Sequence, residues 1–438
     1  MNKLSLISVS LIGILLACNH EGPAWLDLEL KKVVEDPAKY ILPNRRELYK
    51  IPQNSANPLT KEKVQLGNLL FFEPAFSSEA KKSEAKFGFS CASCHVPEVG
   101  FRPARMQGIA DGGFGFGEKG EKRLKNPNYL EEEIDAQGAR PLAVLNTAYV
   151  TNSMWNGSFG AGGVNAGTEH LWGLHDPATA INHLNIGSLE MQNIEGLKTH
   201  RISYSKESVA EYGYTGLFDA AFPEIPEKER YSRYTGSLAI SAFLRTILTD
   251  QAPFQLWLRG EVDAMTESQK RGAIVFFGKA NCKSCHFEPN LGSIKFEALG
   301  VKDLWENGGL KTSINDRRNL GRGGFTGQTQ DMYKFRVPQL YNLGDSGPYF
   351  HGGSKKTLEE VVRYFNEGVA ENPHVPKEQL SFYLQPLKLS EQEIMDLTEF
   401  LTTGLRDPNL LRFKPERVLS GMCFPNNDPL SKADMNCQ

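Results

Sequence analysis

Apolar positions along this chain recur mainly at helical spacing, and stretches of strict alternation are scarce. An amphipathic stretch runs from Trp25 to Val34. Two later segments echo each other: LTKEKVQLGNLLFFE from Leu59 and MTESQKRGAIVFFG from Met265. In each a threonine (Thr60, Thr266) stands where a helix cap belongs, a glycine follows (Gly67, Gly272), and a Phe-Phe pair comes four and five residues later. Asp176-Pro177 has the form of an N-cap with proline at the first helical position. Thr357 to Glu360 and Ser390 to Glu393 are capping boxes. The first leads into Leu358, Val361, Val362 and Phe365, the second into Ile394, Leu397 and Leu401 with Gly404 as its stop. Glycine-rich stretches at 108–120 and 157–167 are loops, and loops that long in a compact domain are more often functional than idle. The pattern predicts an all-α fold, and the echo predicts a duplicated domain.

Length and charge narrow this picture. At 438 residues the chain suits two domains plus extensions, and 40% hydrophobic residues suffice for ordinary cores. With 49 basic against 52 acidic residues the charge gives no support to a nucleic-acid partner, which would need a basic surface. Lys3 and the apolar run Leu4–Ala17 predict a cleaved signal peptide over 1–17, since the run is too short for a spanning helix. It ends Leu15-Leu16-Ala17-Cys18, which resembles the bacterial lipoprotein cleavage box, with Cys18 acylated and the acyl chains as the only membrane contact. A plain secretory signal is the alternative. The expected destination is the periplasm or cell envelope. The expected organisation is a tether and lead-in at 18–58, one domain at 59–262, a second at 263–405, and a tail at 406–438.

Cysteine usage adds chemistry. Of seven cysteines, Cys18 aside, six fall into three close pairs, and outside the cytoplasm each pair must be a disulfide or a cofactor site. Cys423 and Cys437 have no nearby histidine and predict a disulfide pinning the tail. Cys91-Ala92-Ser93-Cys94-His95 and Cys282-Lys283-Ser284-Cys285-His286 are both Cys-x-x-Cys-His. Two thiols a helical turn apart can add to the two vinyl groups of one haem, and the adjacent histidine then faces the iron. Zinc held by both pairs, or a redox-active dithiol, are the rivals, but neither requires a histidine after each pair. The expected cofactors are two covalently bound haem c groups, with His95 and His286 as iron ligands.

Past these motifs the chain resembles the bacterial dihaem cytochrome c peroxidases. LGNLLFFEPAFSS, CASCH, NTAYVTNSMWNG, LEM, CKSCH, GRGGFTGQTQDMYKFRVPQLYNLG, PYFHGG and TLEEVVRYFNEG occur in that order, and the resemblance covers roughly Leu59 to Leu405. The resemblance implies two cytochrome c-like haem domains packed across an interface. It implies hydrogen peroxide as substrate at the N-terminal haem, and electrons from a small donor protein of the cytochrome c or cupredoxin type. Trp155, in MWNG, matches the family's inter-haem tryptophan, although a core aromatic is its plain alternative. Glu190, in LEM, matches the glutamate that moves protons on bound peroxide; a solvated surface glutamate is the alternative. His351, in PYFHGG, matches a histidine of the loop facing the interface.

Several positions depart from the family pattern. No histidine stands between Val96 and Arg140, where many members carry a distal ligand, so the N-terminal haem is expected to be open. Ala180 replaces a frequent glutamine ten residues before Glu190. His183 is a third catalytic candidate for that pocket, with a structural histidine as the alternative. An insertion falls near Gly160–Leu174. At the second haem the distal methionine or tyrosine position holds Phe365, which cannot ligate iron; Tyr364 lies one residue away, and Met332 is a more remote candidate. The family's inter-haem calcium loses its asparagine ligand to Arg140. The expected activity is dihaem peroxidase. The alternatives are a relative that uses peroxide to oxidise aromatic residues of a partner protein, and a non-enzymatic electron carrier. The oligomeric state stays open, a dimer included.

Overall fold

A computed structural model describes residues 23–437; the expected signal peptide and Cys18 lie outside them. Seven helices build the interior: α1 (Pro23–Val34), α2 (Lys61–Phe72), α3 (Ser188–Thr199), α4 (Arg233–Arg245), α5 (Glu267–Phe277), α6 (Leu358–Glu367) and α7 (Glu391–Glu399). The remainder is short helices, 3₁₀ turns and long loops. Among the described residues, strands amount to two antiparallel pairs of two residues each, Gly113–Phe114 with Leu124–Lys125 and Phe296–Glu297 with Phe335–Arg336. No helix among them is long and apolar enough to cross a membrane.

The helices start where their caps dictate. Thr60 Oγ1 accepts from Lys63 N at 3.1 Å, and Thr266 and Gln269 bond reciprocally at 3.2 and 2.9 Å. The boxes at Thr357 and Ser390 form in the same way. The two lead helices are crossed alike. α2 passes so close to α4 that a Cβ on Gly67 would lie 1.9 Å from the Ala239 carbonyl oxygen. α5 meets α7 with a Cβ on Gly272 1.9 Å from the Asp396 carbonyl oxygen. Only glycine permits backbone to lie on backbone this way.

Two cores result. Leu66, Phe71, Phe72 and Phe243 belong to the first, built on α2, α3 and α4; every residue of α4 from Thr235 on is buried. Phe254, Phe276, Phe277 and Phe400 belong to the second, built on α1, α5, α6 and α7. The change from one to the other falls between Ile247 and Ala252. Over residues 23–42 the lead-in is packed rather than a free tether. Leu30 and Val34 enter the second core, and Asp27 accepts from Trp257 Nε1 at 2.8 Å and Lys270 Nζ at 2.9 Å. The tail crosses the other way: Leu410, Phe413 and Val418 join the first core. The Cys423–Cys437 disulfide forms (S–S 1.98 Å), and Pro425 O accepts from Ser90 Oγ at 2.9 Å beside the first cysteine motif.

Gly67→Ala and Gly272→Ala are each expected to destabilise by about 1–3 kcal/mol, because the added methyl overpacks a crossing that has no side chain to move aside. Denaturant unfolding of the single variants checks this. Midpoints equal to wild type would mean the helices separate freely.

Candidate functional site

Both Cys-x-x-Cys-His segments fold into the same tight turn. His95 N donates to Cys91 O at 3.1 Å and His286 N to Cys282 O at 2.9 Å, one helical turn in each case. His95 Nδ1 is 3.0 Å from Phe101 O, and His286 Nδ1 is 2.7 Å from Leu291 O. A carbonyl can only accept, so Nδ1 carries the proton and Nε2 keeps its lone pair. Burial, partly opposed by those hydrogen bonds, pushes both imidazoles down to about 4, so both are neutral. Phe71 and Phe276, first of each Phe-Phe pair, stand 6.5 and 6.3 Å from the respective imidazole. All four cysteines are free; burial pushes the thiols of Cys91, Cys94 and Cys282 up to about 12 and that of Cys285 up to about 11. The two pairs lie against different cores and do not converge on one ion.

The second motif walls a cavity of about 460 Å³, within the usual range for a cofactor pocket. Cys282, Cys285 and His286 line it together with apolar Phe276, Leu340, Val361, Val362, Phe365 and Leu401. Its lining extends to Trp155, His351, Arg336 and Arg102, the last being the residue after His95's carbonyl partner. Arg102 and Arg336 are 4% and 7% exposed, and burial pushes both guanidiniums down to about 10. Arg102 Nε has no hydrogen-bond partner, and Arg336 donates to the Met154 carbonyl. Buried cations left without carboxylates suit the propionates of a haem. At the first motif, a Cβ on Gly108 would lie 2.5 Å from Cys94 Sγ, so glycine keeps that thiol's surroundings clear. The residues present fit a haem at each motif.

Trp155 lines the cavity at the second motif. Its Nε1 donates to Arg140 O at 2.7 Å, and its ring sits 6.2 Å from His351 and 6.4 Å from Phe335. His351 stacks on Phe335 at 3.6 Å, with Nε2 2.9 Å from Asp303 Oδ1. Glu190, in the first turn of α3, is fully buried rather than solvated. Both of its oxygens pair with Arg245, at the end of α4, with Nη2–Oε2 at 2.8 Å, and Asn57 Nδ2 donates to it at 3.0 Å. Burial alone would raise this carboxyl, but the Arg245 charge and the hydrogen bonds hold it below the usual range. No hydrogen bond joins His183 to Glu190, whose partners are Arg245 and Asn57. His183 is exposed, its ring 4.9 Å from Trp172 of the insertion, and Ala180 is exposed too.

At the second site Leu358, Val361, Val362 and Phe365 all line the cavity. Tyr364 does not; its hydroxyl donates to Leu299 O at 2.5 Å. Met332 is outside the lining as well. Arg140, which stands where the resemblance implies an asparagine ligand to calcium, donates from its guanidinium to main-chain carbonyls, a positive group among the oxygens such an ion would need. Arg245, Asn57, Arg102 and Arg336 were not legible as site residues. For Arg245 a signal existed, since it is a lone charge ending the apolar run SLAISAFLR.

The profile described as di-haem cytochrome c peroxidase matches residues 61–263. The methylamine utilization protein MauG of Methylorubrum extorquens is 31% identical over 393 residues, covering 89% of this chain and 90% of that protein. Cytochrome-c peroxidase IdrP1 of Denitromonas iodatirespirans is 28% identical, covering 80% and 83%. A solved MauG-like protein associated with microbial copper homeostasis superimposes with a TM-score of 0.57 at 27% identity, covering 86% of this chain and 98% of that one. The chain is thus a mostly helical oxidoreductase with two haem groups, and it belongs to the di-haem cytochrome c peroxidase family.

Proposed function

We propose that the protein reduces hydrogen peroxide to two waters, using two protons and two electrons from a small donor protein of the cytochrome c or cupredoxin type. One observation carries this reading: a neutral imidazole with a free Nε2 beside a cysteine pair occurs twice. Cys91 and Cys94 would hold one haem by thioether bonds and Cys282 and Cys285 the other, with His95 and His286 as iron ligands. When bound, the haems supply the iron that activates peroxide and the store for the electrons. Trp155, oriented by the Arg140 carbonyl, sets an aromatic ring between the two sites. Glu190, held ionised by Arg245, is the base that takes a proton from peroxide and returns it to the departing oxygen. His183 is assigned no part in this, because it lies exposed against Trp172. Export directed by residues 1–17 and acylation at Cys18 complete the proposal and place the enzyme in the cell envelope.

The denatured protein, expressed with haem-maturation machinery, should show the mass of the chain from Cys18 plus two haems and the acyl chains. The native protein should consume a reduced donor with peroxide. A mass with fewer than two haems overturns the attachment, and peroxide loss without donor oxidation favours the alternative in which a partner protein's aromatic residues are oxidised.

Glu190→Gln keeps the shape but removes the proton acceptor. Peroxide reduction should fall by about 10²–10⁴-fold, measured on folded protein retaining both haems. An unchanged rate would leave Glu190 as a structural partner of Arg245 alone.

Phe365→Met places a thioether on the cavity wall in place of a ring that cannot bind iron. The potential of the second haem should rise, since methionine ligation favours the reduced form. Redox titration with spectra checks this, and a variant whose second haem is unchanged in both would show that position 365 is ordinary packing.

A further inference from the structure

A charge taken out of water is costly unless partners replace the solvent it loses, and for a buried guanidinium the usual partner is a carboxylate. Arg140 has a different set. Its side chain is fully buried, and its guanidinium meets only main-chain carbonyls. Nη1 donates to Arg105 O at 2.6 Å and Met106 O at 3.1 Å. Nη2 donates to Ser346 O and Gly347 O, both at 2.8 Å, and more weakly to Pro103 O at 3.5 Å. Three of these oxygens come from the loop after the first cysteine motif and two from the loop before His351. The Arg140 main chain ties the same place together, its N donating to His351 O at 2.7 Å and its O accepting from Trp155. A ring of neutral carbonyls from two loops is a ligand set for a hard cation; calcium takes six to eight oxygens, backbone carbonyls among them.

We propose that these five carbonyls form a cation site between the two halves in which the Arg140 guanidinium stands permanently in place of a metal ion. The halves are then joined by a cation that can be neither chelated nor lost, and the protein needs no calcium. The site is electrically complete only while the side chain is there. With a short neutral residue at 140, the carbonyls face one another around a void and attract a divalent ion. Having no carboxylate, they should bind it at the weak end of the range, about 10⁻⁴–10⁻³ M.

Titration calorimetry with calcium chloride, together with thermal unfolding in a chelator or in millimolar calcium, tests this. Wild type should show no binding heat and no shift in midpoint. Arg140→Asn should unfold at lower temperature in chelator and recover in calcium, but not in equal magnesium, which demands stricter octahedral geometry. Arg140→Lys, which keeps a positive charge, should stay indifferent to calcium. Stoichiometric calcium binding by wild type, destabilisation of wild type by chelator, or calcium stabilisation of the lysine variant would each overturn the proposal. An asparagine variant that folds but ignores calcium would also overturn it. Should that variant fold only in calcium, the proposal is supported. Should it fold in neither condition, the wild-type and lysine measurements decide. None of these readouts needs peroxide turnover, so a failure of the proposed activity would leave them standing.

Discussion

Two hydrogen bonds set the terms for the rest of this molecule: those from His95 and His286 Nδ1 to carbonyls of their own following loops. The carbonyls belong to Phe101 and Leu291, both fully buried and both left-handed at φ +54° and +51°. A residue with a side chain takes that conformation at a cost of about 1–2 kcal/mol, so its occurrence at equivalent places in both halves means the packing imposes it. Phe101 lies beside the bridge between Val96 and Arg102, and its ring is wedged between Phe71 at 6.2 Å and Phe413 at 6.1 Å. Leu291 is fixed by its own N donating to Glu288 O at 2.8 Å. Phe71 and Phe276 come from the two helices whose glycines permit the closest crossings. The crossings set the phenylalanines, and these flank the imidazoles whose Nδ1 bonds leave Nε2 free.

The space between the motifs is governed by charge rather than by shape. Arg102, Arg140 and Arg336 are all buried there, and Arg140 and Arg336 bond to carbonyl oxygens rather than carboxylates. Each is depressed by burial, and Arg102 depresses Arg140 further. Such an interior favours anionic occupants, because water cannot screen its positive charge. His351 is balanced separately by Asp303, which also accepts from Asn372 at 3.1 Å and so keeps its carboxylate away from the arginines.

What the sequence made legible was local. Capping boxes close over three residues, a cysteine motif over four, and a glycine four residues before a Phe-Phe pair lies within one helix. Each is therefore written contiguously. Glu190 and Arg245 are 55 residues apart, and nothing at either position names the other. His183 looked like a neighbour of Glu190 because seven residues separate them, yet the insertion supplies Trp172 as a partner on the outside. The glycine-rich segment 157–167 reads as a loop and is irregular, but buried asparagines tie it down. Asn165 Nδ2 alone reaches the carbonyls of Gly157, Ser158 and Gly160 at 2.7 to 3.1 Å. A polar residue that satisfies backbone in the interior has the same letter as one that faces water.

The duplication also conceals how the halves depend on each other. An echoed sequence suggests two units that could each fold alone, as domains with their own cores do. Neither core here belongs to one half. The second takes Leu30 and Val34 from the N-terminal lead-in and Phe254 and Trp257 from before the repeat, and is latched by the buried pair of Asp27 with Lys270. The first takes Leu410, Phe413 and Val418 from beyond the second repeat. Because Phe413 presses on Phe101, the tail that follows the second half helps aim the carbonyl that orients His95 in the first. The geometry of the first imidazole is thus set partly by residues that follow the second repeat.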